Sequence, residues 1–213
     1  GGPALVKRAL GKEISKEELG GYEIHSKSGV VDKVAASEKD AFDSIRAFLS
    51  YLPQNIWEKA PRLKCTDPLD RCEESLAHVI PKNRRHGYNM RKLVRFVVDE
   101  NSFFELGQDF GPSLIIGLAR MNGQPIGISA NNSLHLAGSM AADAAQKMRR
   151  IIELCETFHL PIVNFVDEPG FMIGPSAETA ATIKFGMAAV AAAHSAQTPW
   201  ASIRVRKSFG VAA

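Results

Sequence analysis

Apolar residues along this chain recur first at helical spacing, then lose their period, then alternate between helical and strand-like runs. Near the start, Ser15 and Glu18 stand three residues apart. That is the capping-box arrangement, in which a hydroxyl and a carboxylate each satisfy an orphan backbone N–H. Gly20-Gly21 then predicts a left-handed stop. A second helix is expected after Ser37, running to Leu52. Ala41, Ile45, Phe48, Leu49 and Leu52 fall at helical spacing, and Pro53 ends it. Residues 53–88 carry Pro53, Pro61, Pro68 and Pro81 among polar residues with little period. This reads as an inter-domain connector lying over a surface. It is long for a loop, which predicts a packed or functional segment.

From residue 89 the order becomes regular. A helix is predicted from about Met90 to Val98, with Met90, Leu93, Val94, Val97 and Val98 on one face. Strands over Ser113–Ala119 and Gln124–Ala130 flank Asn122-Gly123, the strongest short hairpin signal. A long helix follows Gly138, its buried stripe being Met140, Ala144, Met148, Ile151, Ile152 and Cys155. The apolar strand Pro161–Val166, the loop Asp167–Gly174, an Ala-rich helix to about Ser195 and the strand Ala201–Arg206 complete the pattern. Strand and helix in alternation argue for an α/β layer with right-handed crossovers. Three zones result: 1–52, 53–88 and 89–213.

Composition narrows the class. Hydrophobic residues make up 45% and charged residues 23%, which suits a globular core and not a disordered tail. Net charge is only +3 with the signs interspersed, whereas a nucleic-acid binder concentrates its basic residues. The one dense basic cluster, Lys82, Arg84, Arg85 and His86, reads as a solvated loop. Cys65, Cys72 and Cys155 make neither an even disulfide framework nor a zinc spacing, and read as reduced thiols in an intracellular protein. No metal site is expected. No apolar run reaches membrane-spanning length, because the Ala-rich stretch Met187–Ala196 is short and contains His194. No signal peptide is visible, and the start at Gly1-Gly2-Pro3 and the stop at Ala213 both look cut.

Phosphate-loop, dinucleotide and Gly-x-Ser-x-Gly templates are absent from the sequence. His135 and His159 stand alone and read as structural. Two loops remain as places for chemistry. One runs from Val166 to Ser176, leaving a buried strand and entering a helix. There Gly170 and Gly174 let the backbone approach a ligand, and the helix offers free N–H groups. The other is Arg206-Lys207-Ser208-Phe209-Gly210-Val211-Ala212, leaving the last strand. Ligands gather outside the carboxyl ends of such strands. Two backbone N–H groups brought together there would hold a developing oxyanion. The same residues also fit ordinary strand-to-helix turns. Asp167 and Glu168 would make an acid/base pair, but neighbours on extended backbone point apart, which favours a cap or salt-bridge role.

Taken in order, the motifs resemble the carboxyltransferase (beta) subunit of propionyl-CoA, acetyl-CoA and methylcrotonyl-CoA carboxylases. The likeness covers nearly the whole chain. Glu17-Glu18-Leu19-Gly20-Gly21 and Ser28-Gly29-Val30, with Glu38-Lys39-Asp40-Ala41 and Leu49-Ser50-Tyr51-Leu52-Pro53, are similar to the end of the family's first domain. Asp67-Pro68-Leu69-Asp70-Arg71, Tyr88-Asn89-Met90-Arg91 and Phe103-Phe104-Glu105 are similar to its connector and the start of its second domain. Gly117 to Gly123, Gly127, Ala130-Asn131-Asn132, Val166-Asp167 with Pro169-Gly170-Phe171, and Arg206 to Gly210 are similar to its hairpin and site loops.

This resemblance implies a crotonase-like α/β fold in each of two domains. The chain would then span the end of an acyl-CoA-binding domain (1–52), a connector (53–88) and the first part of a biotin-binding domain (89–213). It implies transfer of a carboxyl group from carboxybiotin to the alpha carbon of a short acyl-CoA, propionyl-CoA or acetyl-CoA. Two enolate-like oxyanions would then need backbone N–H donors, with no side-chain base demanded. By the same resemblance, Gly170, Phe171, Val211 and Ala212 are the expected catalytic positions, and Gly174, Phe209 and Gly210 the biotin-binding ones. The partners implied are a biotin carboxylase subunit, a biotin carboxyl carrier and further copies in a dimer-based hexamer. The compartment implied is the cytoplasm, or the mitochondrial matrix in a eukaryote. Two departures stand out: Gly210-Val211-Ala212 where the family has Gly-Gly-Ala, and Pro175-Ser176-Ala177-Glu178 where it often has Thr and Gln-Glu. The first domain's oxyanion loop would precede Gly1, so a piece of this extent is expected to be inactive alone and to expose apolar surface. Alternatives are a biotin-dependent decarboxylase or transcarboxylase subunit, an inert assembly scaffold, and a crotonase-type hydratase or isomerase.

Overall fold

In the computed structural model, the structure describes residues 1–68, 70–83 and 85–212. Leu69 of the connector motif, Arg84 of the basic cluster and Ala213 lie outside the described residues. Four helices open the chain: α1 (Pro3–Leu10), α2 (Lys16–Gly20), α3 (Tyr22–Lys27) and α4 (Glu38–Ser50). The Ser15/Glu18 capping box forms at the start of α2. Gly21 departs from expectation: its backbone is extended, at φ −68° and ψ 168°, and it starts α3. A Cβ there would sit 2.7 Å from the Glu17 carbonyl oxygen, so close approach is what demands glycine. Ser37 caps α4 by accepting the Asp40 N–H at 3.2 Å. The helix closes at Ser50, two residues before the expected end, as Tyr51 and Leu52 make tighter three-residue bonds to Phe48 and Leu49.

One helical turn, α5 (Leu76–Val79), interrupts the connector before α6 (Met90–Val97). A sheet then forms in the order β1-β2-β3-β4-β5, with β1 (Phe104–Leu106), β2 (Leu114–Met121), β3 (Gln124–Asn131), β4 (Ile162–Glu168) and β5 (Trp200–Ser208). The first two pairings are antiparallel and the last two parallel. Asn122 and Gly123 turn the β2–β3 hairpin with φ of 50° and 75°, the left-handed pair such a turn requires. Helix α7 (Ala142–Phe158) returns the chain from β3 to β4, and α8 (Pro175–Thr179) with α9 (Thr182–Ser195) returns it to β5. The predicted single Ala-rich helix is thus split, with Ala181 at φ 56° between the pieces.

The sheet separates two apolar clusters by the two-residue period of its strands. Leu114, Ile116 and Leu118 face Ala144, Ala145, Ile151, Ile152 and Cys155 of α7 and Ala189 of α9. Ile115, Ala119, Ile126, Ile128, Val163 and Phe165 face Met90, Leu93 and Val94 of α6. Each fully buried Leu or Ile side chain contributes about 1.5–3 kcal/mol by leaving water, so these layers set the frame on which the loops sit. Cys65, Cys72 and Cys155 are all free thiols, and burial pushes that of Cys155 up to about 12.

Arg120 fastens the end of α4 to this frame. Buried at the end of β2, its guanidinium donates to the carbonyls of Ser50 (2.6 Å), Pro61 (3.0 Å) and Gly123 (3.0 Å), and lies over the Tyr51 ring. Phe48 and Leu52 pack on the core, whereas Phe42, Ile45 and Leu49 of α4 stay exposed, as does Trp57 at 88%. Lys82, Arg85 and His86 are exposed as well. Among the described residues no helix is long and apolar enough to cross a membrane.

Candidate functional site

The carboxyl ends of β3, β4 and β5 lie at one edge because the three strands run parallel to one another. Asn131, Glu168 and Ser208 close these strands, and the loops that follow them meet there. β4 runs two residues further than its apolar pattern predicts, so Asp167 and Glu168 belong to the strand and not to the loop. Both are buried, and as strand neighbours they serve different partners.

Asp167 joins three segments. One carboxylate oxygen accepts from the Tyr88 hydroxyl (3.0 Å) and Arg206 Nη2 (3.0 Å). The other accepts from the Lys207 backbone N–H (3.0 Å) and Arg206 Nε (3.3 Å). Arg206 also donates to the His86 carbonyl and lies over the Tyr88 ring. The connector therefore reaches the site edge through Tyr88 and His86. Burial, reinforced by the Asp167 charge, pushes the Tyr88 phenol well above its ordinary range, so it is a fixed donor.

Glu168 faces the turn before α7. Its Oε1 accepts the Gly170 N–H (2.9 Å) and its Oε2 the Asn131 amide (2.8 Å). Burial raises its carboxyl to about 7, opposed by those hydrogen bonds, by the Met140 N–H and by the Lys207 charge. Asn131 also donates to the Gly138 carbonyl and accepts the Asp167 N–H. The turn it steadies is unusual, with Leu136, Ala137 and Gly138 successively at positive φ, and Lys207 Nζ holds the Ala137 carbonyl at 2.6 Å. The acid/base reading of Asp167 and Glu168 thus gives way to two separate anchoring roles.

The first loop leaves β4 with Gly170 at φ 119° and Gly174 at φ 106°, values that side chains with a Cβ rarely adopt. Phe171 is stitched to Met140 as a parallel bridge: the Met140 N–H bonds to the Gly170 carbonyl (3.1 Å) and the Met172 N–H to the Met140 carbonyl (2.9 Å). Its ring rests against Gly186 of α9, where any Cβ would overlap it. The helix at the loop's end, α8, has only five residues and begins with Pro175, which has no N–H to offer. The second loop starts with the Phe209 N–H bonded to the Glu168 carbonyl (3.0 Å), then turns at Gly210 (φ 71°).

Phe171, Val211 and Ala212 meet at a cleft of 340 Å³, lined also by Met140, Ala189 and Trp200. Among the described residues, no acceptor takes the backbone N–H of Phe171, Val211 or Ala212. Gly170 lies at the back of this site, near the Phe209 carbonyl. Gly174, Phe209 and Gly210 are exposed and do not line the cleft. His135 is exposed, and His159 bonds the Ile56 carbonyl from the end of α7, a structural contact. Pattern reading had no means of singling out Gly186 as the seat of Phe171, because a helical glycine carries no local signature of its neighbour. Cys65, Asp67 and Asp99 cluster elsewhere, but both carboxylates already accept hydrogen bonds, Asp67 from Arg71 and Glu100 and Asp99 from Asn122 and Gly123.

Comparison with known proteins covers the whole chain. The family described as carboxyl transferase domain matches residues 1–213. An uncharacterized carboxylase of Bacillus subtilis is 41% identical over 99% of this chain and 41% of its own length. The carboxyltransferase subunit of propionyl-CoA carboxylase from Haloferax mediterranei is 36% identical over 98% of this chain and 41% of its own. Among solved structures, transcarboxylase 12S, a hexamer crystallised with methylmalonyl-coenzyme A and methylmalonic acid bound, superposes with a TM-score of 0.93 at 29% identity. The match covers 99% of this chain and 40% of that one. The chain thus spans about two fifths of the length of these proteins.

Proposed function

This chain belongs to the carboxyl transferase domain family and has its crotonase-like α/β fold, and from that membership we propose that it forms the seam of a biotin-dependent carboxyltransferase subunit. Residues 1–52 close the acyl-CoA-binding domain, 53–88 connect, and 89–213 open the biotin-binding domain. The observation that carries this reading is the cleft at the sheet edge, where Phe171, Val211 and Ala212 keep backbone N–H groups without an acceptor among the described residues.

Those residues suit a ureido group. A mostly apolar wall, joined by Asn164, His194 and Ser202 and by backbone donors without acceptors, fits a small bicycle whose ureido group carries one carbonyl oxygen between two nitrogens. Bound there, carboxylated biotin would supply the carboxyl carbon. The part of this chain is to offer N–H groups where negative charge grows on oxygen, and to keep water away with Met140, Phe171 and Trp200. Main-chain donors in a fixed frame need no reorganisation, so the site asks for rigid loops and not for a titrating side chain. Asp167 and Glu168 provide that rigidity. Val211 keeps its N–H, and its side chain is 70% exposed, so it leaves the donor intact where the family carries glycine.

Propionyl-CoA is the favoured acceptor, after the Haloferax relative, with acetyl-CoA next. The likeness to transcarboxylase 12S favours, as a second reading, the same biotin half-reaction feeding another acceptor. A biotin carboxylase, a biotin carrier and further copies of the subunit complete the assembly, in the cytoplasm or the mitochondrial matrix. The exposed face of α4, with Phe42, Ile45 and Leu49, suits contact with another part of it. The test supplies the full-length protein with biotin carboxylase, biotin carrier, ATP and labelled bicarbonate. Label entering propionyl-CoA or acetyl-CoA supports the proposal, and residues 1–213 alone are expected to be inactive. No transfer to either ester by the full-length protein refutes it.

A further inference from the structure

Glu168 is 1% exposed, and a carboxylate so buried costs stability unless its surroundings repay it. Among the described residues no ion pair does so. Lys207 is the charged group that acts on it, and the Lys207 ammonium bonds the Ala137 carbonyl. The same ammonium lies 3.8 Å from Asp167, which with Arg206, Tyr88 and Lys207 forms the network at the neighbouring position. What Glu168 does hold is the site. Its Oε1 takes the N–H of Gly170, the residue before Phe171, and its Oε2 takes the Asn131 amide that steadies the left-handed turn. Its own carbonyl takes the N–H of Phe209, which starts the second loop. One residue therefore anchors both loops whose backbone lines the cleft.

We propose that Glu168 is a positioning residue for carboxyl transfer, its buried carboxylate fixing Gly170 at φ 119° so that the Phe171 N–H is held ready at the cleft. The inference rests on the function proposed above. A carboxylate accepts N–H bonds with both oxygens, whereas a carboxylic acid turns one of them into a donor that faces the Gly170 or Asn131 donors. Gly170 at φ 119° then loses its restraint. Because burial brings the Glu168 carboxyl to about 7, the ionised, loop-holding form is gained as pH rises through neutrality. The turnover number should rise over the same interval.

The experiment compares wild type with Glu168→Gln, which keeps the shape and removes the charge, in the full-length protein turning over propionyl-CoA with a carboxylated biotin carrier. Glu168→Gln is expected to lower kcat about ten- to hundred-fold, the scale of one charged hydrogen bond. KM for propionyl-CoA stays unchanged, and the variant loses the rise of kcat near pH 7. In parallel, amide hydrogen exchange at Gly170 and Met172 is followed from pH 6 to 8 and corrected for its intrinsic pH dependence. Protection in the wild type should increase with pH, and in the variant stay low and flat. Unchanged kcat, pH profile and protection in a folded variant overturn the proposal. If Glu168→Gln does not fold, wild-type protection that ignores pH overturns it equally. A wild type inactive on both acyl-CoA esters would refute the functional reading, while the exchange measurement would still decide whether Glu168 holds the loop.

Discussion

Replacing Asp167 by Asn tests how the second site loop is held. Asp167 has no exposed surface, and the Arg206 side chain is 12% exposed, so solvent screens their attraction little. The carboxylate accepts from Tyr88, from both Arg206 Nη2 and Nε, and from the Lys207 backbone, all within 3.3 Å. Asparagine supplies one acceptor oxygen in place of two and turns an amide donor toward groups that are themselves donors. Removing one partner of a buried pair in this way costs about 3–5 kcal/mol. For a domain of this size that is a fall in Tm of roughly 6–20 °C. Tyr88→Phe, which deletes one hydrogen bond to a charged acceptor and spares the ion pair, should cost about 1.5–3 kcal/mol. The Tyr88 bond needs the Asp167 carboxylate, so the double variant should cost less than the sum of the two singles. Denaturant unfolding of the three variants at low and high salt supplies the numbers, with salt expected to change little. An Asp167→Asn protein within about 1 kcal/mol of wild type, or strictly additive costs, would refute the anchoring role.

Three further outcomes are expected. Burial brings the ammonium of Lys147, which donates to the Leu114 carbonyl, from 10.5 down to about 8. The unfolded chain therefore binds more protons between those values, and stability should rise by about 3 kcal/mol as pH climbs through them. Lys147→Met should abolish that rise in urea unfolding; a rise left intact assigns it to another group. Val211→Pro removes a backbone donor and should depress turnover of the full-length enzyme about 10²–10³-fold, whereas Val211→Gly should preserve or raise it with little loss of stability, the side chain being exposed. Normal turnover by a folded Val211→Pro enzyme would remove that donor from the mechanism. Gly186→Ala places a methyl group in the Phe171 ring, so it should cost about 1–3 kcal/mol and lower turnover; melting and kcat both unchanged would show that the ring yields freely.

Local chemistry made much of the fold legible. The Ser15/Glu18 box, the Ser37 cap, the Asn122-Gly123 turn, the α6 stripe and the α7 stripe from Ala144 to Cys155 each write their structure into a few adjacent residues, whereas Met140, expected on the α7 stripe, lies before that helix and pairs with Phe171. What stayed hidden depends on distant partners. Asp167 and Glu168 broke the apolar pattern of β4, yet the strand continues because Tyr88, seventy-nine residues away, and Asn131, thirty-six and thirty-seven away, satisfy them. The left-handed Ala181 has neither glycine nor proline to announce it, and β1 is only three residues long. Glycines after predicted strands marked both site loops. The meeting of Phe171 with Val211 and Ala212 follows from the parallel pairing of β4 with β5 and from Gly186, neither of which a linear pattern encodes.

The guanidinium of Arg120 closes the end of α4 from seventy residues downstream, and this sets an order of events during synthesis. At about 5–20 residues per second, the ribosome needs roughly 4–14 s to travel from Ser50 to Arg120. For that interval the Ser50 carbonyl bonds only to water, and Phe48 and Leu52 have no sheet to lie on. The end of α4 must therefore wait for its lock until the β2–β3 hairpin delivers Arg120. A nascent chain stalled before that point carries an unlocked amphipathic helix with Phe42, Ile45 and Leu49 in the open, which is the kind of segment chaperones hold.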